Sequence, residues 1–518
     1  MRSNLSVFTR ILWATRKNND EGMSLVTVLS MGVVGTLLAI SAMSYALGDN
    51  SIGAYEREWV RALYSAEAGL NAYLWKMNED PQYYITDPSM RDPEYFPGEL
   101  TWTPVPNGEG DYRIKVIPQP KVVGEPLTVT IEASGRVKGV TRTVQVDMER
   151  KSFLDWMYFT DFETYNGQNA SCLRYQKKSS PCDIRFADGD VLDGPIKSND
   201  FIMVETCDQT TFRSTVESGR GTVYEDDSQA DCDVSTPNYE GDVNQCGLTQ
   251  FCDSVLPISN AKLRQDAENG GYVYWGPIEI TPLANGLIRV YSKYGNNGVP
   301  PGPAQARTLG DAPPTSTVTD RLPPPNGVIY VGRKTSNPTS LGKAYVGTPH
   351  NPQSGWHGQI TIGSENSIWV WKSLRLDDES DTSKDVIGLI ANESIYVGDD
   401  RVRSDRPYWM RRPTNPEIHA AMLALNGDVH AYGITNPPDS TTFSGCSGTL
   451  KIVGAFAQKS RGVVALGGTS CGNSTSRGYV KDYVYDSRLG YVQPPRFMEP
   501  SNTSWRQLAW REVPPPSA

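Results

Sequence analysis

From Leu25 to Leu47 the chain carries no charged residue over 23 positions. As a helix, a run of that length crosses about 30 Å of hydrocarbon. No later segment of the 518 residues approaches it. The rest of the chain therefore hangs on one side of a single apolar helix. Arg2, Arg10, Arg16 and Lys17 precede the run; Asp49, Glu56, Arg57 and Glu58 follow it. Basic charge ahead of the helix predicts a cytoplasmic N-terminus, one membrane-anchoring helix and an extracytoplasmic body.

The body is polar, with a mean hydropathy of −0.45 for the chain and a net charge of −10. An acidic balance argues against nucleic-acid binding by charge alone. The 47 Gly, 37 Pro and 26 Tyr suit short strands and many turns. The eight cysteines all lie in the body, as sequence neighbours Cys172 and Cys182, Cys207 and Cys232, Cys246 and Cys252, and Cys446 and Cys471. An even count in an exported chain favours disulfides. Their pairing stays open, with neighbours as the expectation. No CxxC or HxxxH spacing supports a metal site.

Residues 1–22 form a charged leader that ends in Gly22. A secretory signal would place its apolar core early and a small-residue cleavage site after it; here the order is reversed. From Glu56 to Met77, Ala62, Ala66, Gly69, Tyr73 and Met77 recur at helical spacing. Trp59, Leu63, Leu70 and Leu74 widen the stripe. The helix is therefore expected over 23–77, its membrane part at 25–47, with Gly48-Asp49-Asn50 as a kink or melted turn. Residues 78–150 hold alternating strands at Tyr112 to Ile117, Leu127 to Ala133 and Thr141 to Met148. Residues 151–296 read as a disulfide-tied β-rich region and 297–326, with eight prolines, as a strap. Beyond 327, short apolar runs end at Gly, Asn or Asp. That pattern predicts a parallel β-helix at 327–518, with an antiparallel sandwich as the alternative. The fold class is α+β followed by mainly β.

The leader with Gly22, and the phrase Ala62-Leu63-Tyr64-Ser65-Ala66-Glu67-Ala68-Gly69-Leu70, resemble type IV prepilins, specifically minor pilins of the PilX-like class. The resemblance covers about 60 residues. It implies cleavage by prepilin peptidase between Gly22 and Met23, an inner-membrane stage, and then packing of the helix against other pilins in a pilus at the cell surface. Gly32, Gly35, Ala39 and Ala42 are the small residues that would allow close helix approach. The fifth mature position is Thr27, where major pilins usually carry Glu; the K-type tip pseudopilin of type II secretion also lacks that Glu. With about 440 residues beyond the helix, this points to a tip or tip-proximal minor pilin. Gly388 to Asn392, Ala420 to Asn426, Leu450 to Gln458 and Lys481 to Asp486 resemble a β-helical module found behind pilin-type N-termini, with Asp193 to Asn199 as its opening rung.

The expected role is display of an adhesive or structural module, not catalysis. The alternatives are a DNA receptor for uptake, a glycan-active β-helix enzyme and an uncleaved single-pass surface protein. Arg401, Arg403, Arg406, Arg411 and Arg412, with Tyr408 and Trp409, are the candidate DNA or glycan contacts. The other reading of them is a surface loop whose arginines pair with Asp399, Asp400 and Asp405. Among four histidines, His350, His357, His419 and His430, the last two could stack on successive rungs. Asp188, Asp190 and Asp193 are either turn residues or a carboxylate group. No cofactor is expected; Asp377, Asp378, Glu379 and Asp381 form an acidic run that reads as a solvated loop, with calcium binding as the alternative. No Walker loop, GxSxG or HExxH is present.

Overall fold

The computed structural model describes residues 23–79, 83–85, 101–118, 127–165, 182–219, 222–225, 230–245, 254–283, 285–292, 318–333, 341–348, 355–400, 412–434, 445–466, 477–490, 492–501 and 505–515. It begins with an N-terminal helix and continues as mostly β structure in several sheets. Helix α1 spans Met23–Glu79 without interruption, so the anticipated break at Gly48-Asp49-Asn50 is absent from its backbone.

Ala62, Ala66, Tyr73 and Met77 are fully buried and Leu70 nearly so, under an antiparallel sheet. Trp59, expected at the margin of this stripe, is 43% exposed. Small residues set the helix–sheet distance. A Cβ on Gly135 would lie 2.1 Å from the carbonyl oxygen of Ala62, and one on Gly69 would enter the Tyr112 ring. The Ala-Glu-Ala-Gly phrase is thus a close-packing surface as much as a helix former.

That sheet runs in the order Thr103–Pro104, Asp111–Pro118, Leu127–Val137, Val140–Arg150, Arg506–Val513. A two-residue turn at Lys138 and Gly139, both with positive φ, joins its long hairpin. The fifth strand is a correction. It falls inside the expected 327–518 module, yet it pairs antiparallel with Val140–Arg150. The reason is local: Arg142 forms a bidentate pair with Glu512 and lies 3.3 Å over the Trp59 ring, and Trp505 packs edge-on to Tyr84. The chain leaves this sheet after Arg150 and returns to it at its end.

Between those points the chain alternates between two sheets. Val328–Gly332, Gln359–Ser364, Val386–Ala391, Glu417–Ala424 and Cys446–Ser460 pair in parallel in one sheet. Ala344–Val346, Ile368–Val370, Ile395–Val397 and Val429–Ala431 pair in parallel in the other. Each element of the second sheet falls in sequence between two of the first. Register partners Tyr272, Ile329, Ile362, Leu389, Met422, Phe456, Tyr158, Ile196 and Val216 form one inward ladder, all buried in one core. The outer face of the long sheet is covered too, by Phe153, Leu263, Leu489 and Phe497 among others. Burial on both faces explains the uninterrupted run Val386-Ile-Gly-Leu-Ile-Ala391.

The order along the long sheet differs from the order in sequence. Tyr158–Phe162 sits between Cys446–Ser460 and Ile196–Ser198. Residues 151–296 therefore do more than open the module: their first strand closes it against the last coil, and Tyr272–Trp275 lies at the far end. Asp193 to Asn199 forms the neighbour of that closing strand. A helix not anticipated from sequence, α2 (Ala261–Glu268), caps the long sheet. Most of the Pro-rich strap lies outside the described residues, but Val318–Arg321 is a strand paired antiparallel with Ile288–Ser292.

Among the described cysteines, Cys207 and Cys232 are bonded to each other, and Cys182 and Cys446 each take part in a separate disulfide. Cys172, Cys246, Cys252 and Cys471 lie outside the described residues.

Candidate functional site

Two features stand out. One is the bare half of α1. Over Leu25–Ser44 the helix is long and apolar enough to cross a membrane and none of it is buried. Leu25, Val28, Leu29, Met31, Leu38 and Met43 are each more than 60% exposed. Burying one such side chain stabilises by about 1.5–3 kcal/mol, so the segment as a whole demands an apolar environment. Three of its hydroxyls are satisfied within the helix. Ser30 donates to the carbonyl of Val26 at 2.6 Å, Thr36 to that of Gly32 at 2.8 Å and Ser41 to that of Leu37 at 2.8 Å, as hydrocarbon requires. A Cβ at Gly32 or Gly35 would meet nothing within 4 Å, and Ala39 and Ala42 are exposed. All four small residues are exposed on the single chain. Gly22 lies outside the described residues; Met23, the first described residue, is helical.

The second feature is a ring ladder on the short sheet. Tyr345, Trp369, Tyr396 and His430 are register partners on four successive strands. Trp369 stacks on Tyr396 at 4.2 Å between centroids, and His430 meets Tyr396 edge-on at 4.4 Å. The signal was present in sequence as repeated triplets, Ala-Tyr-Val, Ile-Trp-Val, Ile-Tyr-Val and Val-His-Ala. Irregular spacing between coils concealed it.

The other candidates separate. Arg401, Arg403, Arg406, Arg411, Tyr408 and Trp409 lie outside the described residues. Asp400, expected to pair with them, is engaged by Lys343 at 2.7 Å and by the Tyr345 hydroxyl at 2.5 Å. Arg412 is buried and donates to the carbonyl of Gly445 at 3.2 Å; burial lowers its pKa.

His419 and His430 do not stack on one another. They lie on different sheets, His419 beside Val453 and His430 beside Tyr396, because the chain turns a corner between them. His419 bonds Glu417 at 3.0 Å and His430 bonds Asp428 at 2.7 Å. Burial would raise Glu417, but hydrogen bonds from His419 and Lys451 and the Arg375 charge outweigh it and hold its pKa at about 2. His350 lies outside the described residues.

Asp188, Asp190 and Asp193 do not converge. Asp190 holds Lys481, Asp193 holds Arg213 at 3.2 Å, and Asp188 accepts from Thr206 at 3.3 Å. In the acidic run Asp378 accepts from the Ser380 amide at 3.0 Å, a turn contact that lowers its pKa. Among the described residues, the group with ligand atoms close enough for an ion is instead His357, Asp377 and Asp385. Asp385 in that trio already accepts from the amides of Gly358 and Asp378.

No protein-family model matches this sequence, and no curated protein does. Among solved structures, the crystal structure of the competence-associated pilin ComZ from Thermus thermophilus aligns over 88% of this chain and 97% of its own. The identity is 11% and the TM-score 0.29. At that score the likeness carries no argument about fold or function.

Proposed function

We propose that this chain is a pilin-like subunit that assembles through α1 and displays the β-rich body, whose alternating parallel strands we read as a β-helix. One observation carries the reading: a single continuous helix is bare and apolar in its first half and clamped to an antiparallel sheet in its second. A bare helix needs lipid before assembly, and the same surface needs equivalent helices afterwards. Cleavage between Gly22 and Met23, by a prepilin peptidase, would free it for that exchange.

A tip-proximal place is part of the proposal. A buried Glu is tolerable in an apolar filament core only with a partner charge. Thr27 in its position needs no partner above it. The bulk of the body would crowd a repeating shaft. Gold labelling of isolated filaments with antibody to the body tests both parts. Label at filament ends is the expected result. Label at many sites along the shaft would overturn the tip placement, and absence from filaments would overturn the pilin-like reading.

A further inference from the structure

Beside the ring ladder lies a groove of about 450 Å³, along the corner where the chain passes from the long sheet to the short one. Ser367, Ser394 and Asp428, each just before a register partner of the short sheet, line it at equivalent positions, and Ser460 lines its end. At about 4.8 Å between strands the groove crosses about 14 Å, the scale of an oligosaccharide.

The groove holds polar groups that the described residues leave unused. Trp369 and Ser460 are 4% and 3% exposed. The Trp369 Nε1 and the Ser460 Oγ have no hydrogen-bond partner among the described residues, but both atoms are closed to solvent, so the groups that can meet a ligand are others. Glu393 and Asn366 line the same groove, and the side chain of neither has a hydrogen-bond partner among the described residues. The aromatic wall is rigid, because Tyr396 is backed by Trp369 at 4.2 Å.

Charge narrows the ligand. The Lys343 ammonium is taken by Asp400 at 2.7 Å and His430 by Asp428 at 2.7 Å. The remaining carboxylates of the lining are Glu393 and Asp428, so the groove is negative. An anionic chain, a phosphate backbone or a uronic acid polymer, meets repulsion here. A sugar offers hydroxyls that both donate and accept, and C–H faces that lie against rings.

We propose that this groove binds a neutral or amino-bearing oligosaccharide, with Glu393 and Asn366 as hydrogen-bonding contacts and Tyr396, flanked by Trp369 and His430, as an aromatic wall contact. The biological use of such a site rests on the reading of the body as a displayed module. Binding of a soluble sugar tests the groove separately from whether the chain reaches a filament.

The test uses the full chain in a detergent without a sugar headgroup. Calorimetric titrations are run with the tetramers of N-acetylglucosamine, glucosamine and glucose, with trigalacturonate, with a short single-stranded DNA and with an uncharged tetrapeptide. Binding of at least one neutral or amino sugar is expected, with the acidic sugar and DNA silent. Glu393→Gln and Asn366→Ala are each expected to weaken it by about tenfold or more, with the melting temperature unchanged. The proposal is overturned if no neutral or amino sugar binds at millimolar concentration. It is also overturned if trigalacturonate, DNA or the peptide binds better, or if both variants bind as the parent does. Tyr396→Leu, which keeps the apolar bulk, serves as a third variant should either of the first two fail to fold.

Discussion

Arg461→Ala should open the seam where the first strand of the β body joins the last coil. Arg461 and Glu163 are both buried, their side chains 3% and 4% exposed, and pair at 2.8 Å. The same guanidinium group donates to the carbonyl of Ile184 at 3.0 Å and lies 3.6 Å over Phe186. Glu163 also accepts from the Tyr158 hydroxyl at 3.1 Å, so the pair ties strand Tyr158–Phe162 into the stack. Deleting one partner of a buried ion pair leaves the other uncompensated and costs about 3–5 kcal/mol. Because every 1.4 kcal/mol is about a tenfold change, amide exchange at Phe159 to Phe162 should quicken by roughly two to three and a half orders of magnitude. Hydrogen exchange by mass spectrometry on the full chain reads this segment directly. The pair Arg461→Met with Glu163→Gln removes both charges and should recover much of the loss. Exchange in Arg461→Ala within about threefold of the parent would refute the claim that this ion pair holds the seam.

Gly135→Val should destabilise the helix–sheet unit by about 3 kcal/mol or more, since its Cβ would meet the backbone of Ala62, Ser65 and Ala66; thermal unfolding of the full chain measures it. Gly35→Leu should leave that melting temperature unchanged, because nothing lies within 4 Å of the position, while lowering recovery of the chain in sheared filaments. Acid should weaken the coil that carries Glu417. Its pKa is depressed from 4.5 to about 2, so its contribution is complete above about pH 4.5 and is lost as pH falls toward 2. Melting followed across that window should show a shallower acid limb in Glu417→Gln than in the parent.

What the sequence made legible follows from how local each signal is. The helix over Glu56 to Met77 and the strands from Tyr112 to Met148 carry strict 3.6- and 2-residue periods, and the structure places elements there. The short apolar runs beyond 327 were also legible as strands. Their neighbours were not, because pairing of Tyr158 with Phe456 joins residues far apart in the chain. The return of Arg506–Val513 to the first sheet is written in Arg142, Glu512 and Trp59, three residues that no local pattern connects. His419 and His430 looked like one stack because sequence spacing does not reveal a corner between sheets. The ring ladder escaped notice for a related reason: loops of unequal length displace equivalent triplets, and register exists only once the coils are stacked.

The most direct test of the central claim, that α1 is a processed pilin-type helix, is the mass of the N-terminal peptide of the chain isolated from its membrane or filament. The account predicts a mature chain that begins at Met23 and retains Leu25 to Leu47. A chain that still carries residues 1–22, or one cut after the apolar run, would contradict it.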